Sequence, residues 1–455
     1  MNHRPTSRIA RRLAQLSLVA ATAALLLPGA AQAVPSFARQ TGMACEACHT
    51  VFPELTPFGR RFKLNGYTID NLPQVSDVST NKEETLLLNQ LPPLSFMLQA
   101  SVTSTKKARP DTAAGTGNVP AGANAQNGQT QFPQQASLFY AGRIASNLGA
   151  FVQMTYDGTS GSFGWDNTDI RYAKNVNSNF LWGASLNTNP TVQDVWNSTP
   201  AWQVPFDQRS ATAPSGAAAT QIDGTLGGTG VAGLSVYGYW NNSLYAELGA
   251  YRSAPAAAAP LDSTNTSVVD GLAPYWRLAY ERQWDRNSWQ VGAYGLNAKL
   301  FPGGGIPLSG PTDRYNDVAL DTQYQYIGDE SIYSVMGTYI KETQTLNASF
   351  PGSSPDLKTL RVGGSYYYRR QYGAGLGYFS TTGSADAAVY AANANNLPDT
   401  KGWTAEFDWI PYQNTKLALQ YTAYNKFNGG GDNYDGAGRN ASDNNTLYLL
   451  GWINF

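Results

Sequence analysis

Along residues 94–455, apolar and polar side chains alternate with a period of two, the pattern of β-strands that present one face to an apolar environment. In the first such stretch, Phe96, Leu98 and Ala100 share one face, while Met97 and Gln99 lie on the other. The pattern predicts sixteen strands, each about long enough to cross a bilayer at a tilt. They lie at residues 95–102, 136–147, 148–158, 168–176, 179–189, 234–242, 243–253, 272–284, 288–300, 313–328, 330–346, 357–369, 371–383, 401–413, 415–427 and 444–455.

The connections between the predicted strands alternate in length. Short turns, such as those at Asn147-Leu148 and Gly328-Asp329, separate long loops, such as 106–135 and 190–233. Short periplasmic turns and long external loops are typical of outer-membrane barrels, and an even strand number places both ends of the barrel in the periplasm. Residues 108–135 of the first long loop are rich in Ala, Gly, Asn and Gln and are expected to be mobile. Loop 190–233 carries aromatic residues and prolines and is expected to be ordered, against the rim or in the lumen.

The two faces of the predicted strands differ in polarity, as a barrel in lipid requires. Trp403, Phe407 and Trp409 are predicted to face lipid, while Glu406 and Asp408 face the lumen. A cation on the lipid face costs about 2–4 kcal/mol at the bilayer midplane. Further charged residues are therefore predicted to point inward, namely Arg143, Arg171, Arg277, Glu281, Asp317, Asp321 and Arg361. A soluble β-sandwich is the alternative, but it would not supply so many outward aromatic residues.

The last predicted strand ends on the aromatic residue Phe455, after alternating apolar positions. This ending resembles the recognition signal of the barrel-assembly machinery. We expect the last strand to close against the first, which removes both edges of the sheet. The predicted fold class is therefore all-β, a 16-stranded antiparallel transmembrane β-barrel.

Residues 1–33 have the pattern of a secretory signal peptide that is removed. Four arginines precede an apolar run at residues 16–27, and Ala31-Gln32-Ala33 is a small-x-small cleavage signal. The run is too short for a transmembrane helix, and no later segment is apolar enough to be one. The mature chain from Val34 then has 27 basic and 32 acidic residues, a balance that argues against a nucleic-acid partner. The 45 Gly, 27 Tyr and 11 Trp also favour an exported barrel.

The segment Cys45-Glu46-Ala47-Cys48-His49 is a Cys-x-x-Cys-His motif, the attachment signature of a c-type haem. In this motif two thiols bond to the porphyrin, and the imidazole ligates the iron. The alternatives are a redox dithiol or half of a zinc site. A zinc site would need more Cys or His ligands than the two Cys and two His of this chain. A thioredoxin-like dithiol would need a βαβ context, which the sequence lacks.

Residues 34–93 are predicted to be a monohaem cytochrome c segment, followed by the barrel at residues 94–455. Phe37, Phe52, Leu55, Phe58 and Phe62 are expected to wrap the porphyrin faces. The cations of this segment are candidates to pair with the haem propionates, with solvated surface or a periplasmic docking patch as the alternative; they are Arg39, Arg60, Arg61 and Lys63. A segment this small rarely buries enough surface to fold alone. We therefore expect it to lodge in the barrel lumen.

The second axial ligand of the iron is predicted to be Met97. Once the signal peptide is removed, His49 is the only histidine, and an electron-transfer haem usually takes Met opposite His. Met97 lies on the lumen face of the first strand, directly after the haem segment, so its short tether gives it a high local concentration at the iron. Met43 is too near the cysteines, Met154 is predicted to face lipid, and Met336 is the next candidate.

The chain resembles the fused monohaem cytochrome–porins of the outer membrane, whose best-known members are iron-oxidising cytochromes. The likeness rests on residues 35–42, the motif at 45–49, and residues 52–59 and 63–67. The order of signal, short haem segment and sixteen-stranded barrel matches over the whole mature chain. The resemblance implies a single haem c inside the barrel that carries electrons across the outer membrane.

The sequence and this resemblance together favour an electron conduit in outer-membrane lipid. Its expected partners are an extracellular reductant, with Fe(II) as first candidate, and a periplasmic cytochrome c. It would be an oxidoreductase only in the broad sense, because no catalytic constellation is present. The alternatives are a solute porin whose haem segment is structural, and a haem-dependent redox enzyme of peroxidase type with an open iron site.

Changing both Cys45 and Cys48 to Ala should abolish covalent haem, because each thiol forms one bond to the porphyrin. The measurement is haem staining on a denaturing gel, with immunoblotting to confirm that the chain is present. Staining that persists in the double variant would contradict the motif assignment.

Overall fold

The structure is a computed structural model. It describes residues 35–69, 74–75, 88–89, 91–108, 129–200, 203–206, 209–224, 226, 230–253, 267–302 and 309–455. The predicted signal peptide at residues 1–33 lies outside the described residues, as does most of loop 106–135.

Short elements make up the N-terminal part of the chain. In order they are α1 Pro35–Thr41, α2 Cys45–Cys48, β1 His49–Val51, β2 Glu54–Leu55, α3 Pro57–Leu64, β3 Gln74–Val75 and β4 Leu88–Asn89. Helix α3 begins after Thr56, whose Oγ1 accepts a hydrogen bond from the Gly59 amide at 3.0 Å. Pro57 takes the first helical position, where its missing N–H costs nothing.

Long antiparallel strands form the rest of the chain. They are β5 Leu94–Thr105, β6 Gln129–Ala145, β7 Leu148–Asp157, β8 Ser162–Asn177, β9 Phe180–Asn187, β10 Val231–Trp240, β11 Leu244–Ser253, β12 Ser267–Val269, β13 Ala273–Trp284, β14 Asn287–Pro302, β15 Asp313–Ile327, β16 Ser331–Leu346, β17 Asp356–Tyr368, β18 Tyr372–Gly383, β19 Thr400–Tyr412, β20 Thr415–Lys426 and β21 Thr446–Asn454. Helix α4, Pro190–Gln193, lies between β9 and β10, and 3-10 helices occupy Ala394–Asn396 and Ala441–Asn444.

The strands form a closed barrel of sixteen, because β12 pairs with β14 as an interrupted extension of β13. The last strand, β21, pairs antiparallel with the first, β5. Phe96 and Phe455 exchange both backbone hydrogen bonds, at 2.7 and 2.8 Å, at the end of this seam. The predicted fold class is confirmed, and closure removes the unpaired edges that lipid would not tolerate.

Two strands begin six or seven residues earlier than predicted. Strand β6 starts at Gln129 and β8 at Ser162, whereas the sequence pattern placed their starts at residues 136 and 168. The extra residues pair with neighbouring strands, as in Gln135 with Asp157 and Asp157 with Ser162. Their side chains are mostly polar, so these extensions lack the alternation from which the strands were predicted.

The barrel has an apolar exterior and a polar lumen. Trp403, Phe407 and Trp409 are 47%, 53% and 43% exposed, whereas Glu406 and Asp408 are buried. Alternation of this kind in a closed barrel is the architecture of outer-membrane proteins. Among the described residues, no helix is both long enough and apolar enough to cross a membrane.

One end of the barrel, here called the short-turn end, carries the tight connections between strands. They lie at residues 146–147, 178–179, 241–243, 285–286, 328–330, 369–371 and 413–414. Strand β5 starts and strand β21 finishes at this same end. The opposite end, here called the long-loop end, carries connections such as 188–230 and 384–399.

The connection between β9 and β10 enters the lumen, which is one of the two arrangements expected from its aromatic residues and prolines. Asp194 organises its first turn and accepts hydrogen bonds from the amides of Trp196, Ser198 and Thr199 at 2.9–3.0 Å. Asp194 also lies 3.8 Å from the Arg277 guanidinium of β13. This buried ion pair ties the connection to the barrel wall.

Further along, the same connection caps two wall carboxylates. Glu342 accepts a hydrogen bond from the Gln221 amide at 2.6 Å, and Asp317 accepts one from the Ile222 amide at 2.8 Å. Ile222 is fully buried in an apolar cluster that includes Tyr251 and Tyr294 of the wall. The lumen therefore contains packed protein at this level.

A filled lumen predicts a conductance well below that of an open porin of the same strand number. Arg277→Ala should raise the conductance. The buried carboxylates of Asp194 and Asp321 would lose their cation, and with it the ion pair that holds the β9–β10 connection to the wall. Breaking such a pair costs about 3–5 kcal/mol. Planar-bilayer recording measures the change. Arg286→Ala, which removes an exposed ion pair on a turn, is the control. Equal conductance in both variants would contradict the inferred role of Arg277.

Candidate functional site

Residues 35–69 lie inside the barrel at the short-turn end. Helix α1 contacts β6, where Ser36 Oγ and Gln40 Nε2 each donate to the Ala141 carbonyl at 2.8 Å. At the end of α3, Arg61 donates to Asn242 on a short turn. Glu46 of α2 pairs with Arg370 on another short turn, at 3.4 Å. The wall thus holds this segment at several points around its circumference.

Arg60 of α3 is the most enclosed of these attachments. It is 2% exposed, and its Nη2 donates to Glu281 and Ser288 of the wall at 2.7 Å each. Its Nη1 donates to the Gln325 side chain at 2.8 Å and to the Leu55 carbonyl at 2.9 Å. A guanidinium with so many acceptors is a strong fixed link between α3 and the barrel.

Two residues at the C-terminal end of this segment contact a buried charge cluster. The Tyr67 hydroxyl donates to Asp169 of β8 at 2.6 Å, and Asp169 pairs with Arg171 at 2.7 Å. Lys63 Nζ donates to the carbonyls of Val192 and Asp194, the latter at 3.1 Å. Burial, and then the nearby Arg171 charge, lower the pKa of Lys63 to about 8 against the opposing effect of nearby carboxylates.

The segment, the wall and the β9–β10 connection enclose a cavity of about 380 Å³, a size typical of ligand sites. Cys45, Cys48 and His49 all line it, and so does Met97 of β5. The cavity therefore brings together both thiols of the chain, the single described imidazole and the thioethers of Met43 and Met97.

The imidazole of His49 is a neutral ligand group at physiological pH. Burial lowers the pKa of His49 to about 4, although the carbonyls of Pro53 and Glu54 partly offset this effect. Its buried Nδ1 makes no hydrogen bond of good geometry among the described residues. Burial, and then the neighbouring Cys45, raise the pKa of Cys48 to about 11, so this thiol is protonated.

Aromatic side chains form much of the cavity wall. Phe37, Phe52, Leu55, Phe58 and Phe62, all predicted to wrap a porphyrin, line it. The rings of Phe37 and Phe62 meet edge to face at 5.1 Å between centroids, and those of His49 and Phe52 lie 4.7 Å apart. Apolar walls around two thiols and an imidazole suit a large planar apolar group.

The methionines differ in their positions. Met97 is 4% exposed, and its sulfur accepts a weak hydrogen bond from Gln99 Nε2 at 3.7 Å. Met336 is buried too, but it lines a separate small cavity beside the β9–β10 connection. Met43 lines the main cavity next to the cysteines. Met154 pairs across strands with Leu138, an outward residue that is 48% exposed.

The predicted propionate-binding cations lie in four different environments. Arg60 is engaged by the wall, Arg39 is exposed and donates to the Leu94 carbonyl, and Arg61 contacts a short turn. Only Lys63 of this group lines the cavity. The pairing of the three arginines with propionates stays a prediction. For Arg60, a propionate would have to replace the present hydrogen bonds to Glu281 and Ser288.

The sequence did not indicate the contribution of the β9–β10 connection to this site. Asn189, Thr191, Val192 and Asn197 of that connection line the cavity. Asn197 Oδ1 also accepts a hydrogen bond from the Leu55 amide at 3.3 Å. The prolines and aromatic residues of the connection predicted that it is ordered. No local sequence pattern indicated which part of the lumen it would contact.

The residues present fit a covalently attached haem. Two thiols and a neutral imidazole come from one short segment, and the aromatic walls face them. Within the described part of the chain, no group of three or more His, Cys, Asp or Glu side chains is arranged to hold a metal ion.

No protein-family model matches this chain, and no curated protein sequence matches it. Among solved structures, it is similar to the outer-membrane channel DcaP of Acinetobacter baumannii, with 14% identity, a TM-score of 0.47 and coverage of 80% of this chain and 96% of that one. A structure of Salmonella typhi OmpF with daunomycin gives 14%, 0.47, 80% and 97% for the same quantities. An anion-selective porin from Comamonas acidovorans gives 12%, 0.46, 79% and 98%. These likenesses concern the barrel fold alone.

Gly59→Ala should lower haem attachment, because a Cβ at Gly59 would lie 2.2 Å from the carbonyl oxygen of Cys48. The overlap would push α3 away from the cysteine pair at a cost of about 1–3 kcal/mol. Haem per protein, from the absorbance of the pyridine complex, measures the effect. Gly164→Ala adds the same methyl where nothing lies within 4 Å, and it should leave the haem content unchanged. Equal haem content in both variants would contradict this packing argument.

Proposed function

We propose that this protein is an outer-membrane electron conduit with one haem c. It takes up one electron from an extracellular reductant, with Fe(II) as the first candidate, and delivers it to a periplasmic cytochrome c. Fe(II) is oxidised to Fe(III), and the carrier is reduced by one electron. Bound at this site, the haem supplies the one-electron redox centre.

The observation that carries the proposal is the cavity lined by Cys45, Cys48, His49 and Met97. The cysteines are the attachment points, and His49 is the proximal ligand. Met97 lines the same cavity and would supply the second iron ligand, and a His–Met ligand pair raises the reduction potential of a haem. A high potential suits an acceptor of electrons from Fe(II).

The chain's other residues fix and shield this centre. Arg60 and Tyr67 hold residues 35–69, here called the attachment segment, to the wall. Trp196 of the β9–β10 connection packs with Leu64 and Tyr245 beside this segment. Electron transfer between separate molecules needs no substrate pocket. The absence of a nucleophile or acid–base constellation in the sequence is consistent with this reaction class.

The fold also allows a solute porin, which is the second class of function. Arg60, Asp194 and Ile222 place buried, hydrogen-bonded protein within the lumen at different levels. This packing favours a conduit over a solute pore.

In the proposed orientation the short-turn end and both ends of the mature chain face the periplasm, as is usual for outer-membrane barrels.

Stopped-flow mixing of purified oxidised protein with Fe(II) tests the proposed function. We expect reduction of the haem without any other protein, seen as the change in its absorption spectrum. Rapid reduction by small organic reductants with none by Fe(II) would reject Fe(II) as the donor. A large solute conductance with no redox-active haem would favour the porin.

Met97→Ala should open the distal side of the iron, because no other described methionine on the wall lines the cavity. We expect a high-spin absorption spectrum and binding of carbon monoxide or cyanide. Met336→Ala is the control, since this buried methionine lies in a different cavity, and it should stay low-spin.

An unchanged low-spin spectrum in Met97→Ala would remove Met97 from the ligand set. A wild-type protein that is already high-spin, and that turns over peroxide, would favour the peroxidase-like alternative.

A further inference from the structure

The charges at the short-turn end are unevenly distributed. On the side of strands β14–β18, exposed arginines are matched by carboxylates: Arg286 with Asp329 at 2.7 Å, Arg369 with Glu330 at 2.7 Å, and Arg370 with Glu46 at 3.4 Å. On the side of strands β5–β10, Arg39, Arg61 and Arg143 have no carboxylate partner among the described residues. Their hydrogen bonds go to neutral groups, the Leu94 carbonyl, the Asn242 side chain and Ser146 with the Ala145 carbonyl, respectively.

Two of these arginines, Arg61 and Arg143, lie at an open cleft at the same end. The cleft has a volume of about 240 Å³, and Arg61 and Ser146 line it. Arg143 reaches the cleft edge through its 3.2 Å hydrogen bond to Ser146 Oγ. Phe58, which is 43% exposed, lies in the cleft wall. The cleft thus combines an exposed aromatic ring with arginines that have no carboxylate partner within the described part of the chain.

The cleft and the cysteine cavity share part of their walls. Met43, Phe58, Phe62 and Ile69 line both. A partner seated in the cleft would therefore be separated from the cavity by the thickness of single side chains. The side with matched ion pairs has a smaller cleft, of about 50 Å³, which also shares Cys45, His49 and Phe52 with the cavity. The cations that line this smaller cleft are paired, Arg370 with Glu46 and Lys416 with Asp408.

We infer that this cleft, with Arg61 in its wall and Arg143 at its edge, is the docking surface for a soluble electron carrier with an acidic face. The inference rests on the proposed function and identifies where the electron leaves the haem site for its carrier. An apolar centre with a charged rim is the usual anatomy of a transient protein interface. Arg61 and Arg143, partly exposed and without a described carboxylate partner, attract an acidic partner to this side of the barrel, and salt weakens the attraction.

Two carriers of opposite surface charge test the inference: cytochrome b5, which is acidic, and mitochondrial cytochrome c, which is basic. Surface plasmon resonance with the whole detergent-solubilised protein measures their binding at low and high salt. We expect cytochrome b5 to bind more tightly than cytochrome c, with an affinity that falls as salt rises.

Charge reversal at Arg61 and Arg143 together, each to Glu, should weaken cytochrome b5 binding by about tenfold or more. The matched control is Arg286→Glu with Arg369→Glu, which changes the net charge equally on the side with paired charges. The control should retain most of the affinity. Equal losses in the two variants would show that net charge alone is responsible, and this would overturn the docking surface.

The docking surface and the proposed function can fail separately. If wild-type protein carries haem that Fe(II) reduces, yet shows no salt-dependent preference for cytochrome b5, the docking surface is refuted and the proposed function stands. If cytochrome b5 binds as expected while Fe(II) leaves the haem oxidised, the surface is supported and the function with Fe(II) as donor fails. The wild-type salt dependence keeps the test decisive even if the double variant does not fold.

Discussion

A buried guanidinium must be paired, and this constraint organises the lumen. Three arginines, Arg60, Arg171 and Arg277, are at most 2% exposed inside the barrel. Each pairs with a carboxylate, and each also bonds a segment that is not its own strand or helix. Leaving such a charge without its partner costs several kcal/mol. These pairs therefore hold the attachment segment and the β9–β10 connection in defined positions inside the barrel.

The three arginines link the attachment segment, the wall and the β9–β10 connection to one another. Arg60 belongs to the attachment segment and finds its carboxylate on the wall. Arg171 belongs to the wall, and its Nη2 donates to the Gln193 carbonyl of the connection, while its partner Asp169 accepts from Tyr67. The cavity is lined by all three parts of the chain, so its shape depends on all of these links.

The barrel was predictable because lipid and closure impose simple rules on each strand. Every second side chain must be apolar, as at Leu417, Leu419 and Tyr421, and no backbone group can remain unpaired. The cysteine cavity was predictable in part, because the attachment motif is local. The position of Met97 at this cavity was also inferred from local features, namely its face on the first strand and its short separation in sequence from the haem segment.

The remaining features depend on long-range partners that no local pattern reveals. Arg60 and Arg61 are adjacent in sequence, but successive residues on a helix point about 100° apart. One therefore reaches Glu281 in the lumen and the other reaches a turn at the barrel end. Similarly, the path of the β9–β10 connection depends on Arg277, more than eighty residues away from Asp194.

The seam between the first and last strands has a consequence for how the protein is made. Met97 of β5 and Trp452 and Asn454 of β21 all line the cavity, and Asn454 pairs directly with Met97. These residues meet only when the sheet closes, which requires the final strand to be synthesised and inserted. Maturation thus has an intrinsic order, because the cysteines precede the barrel in the chain while Trp452 and Asn454, part of the wall of their cavity, belong to the strand that closes the sheet.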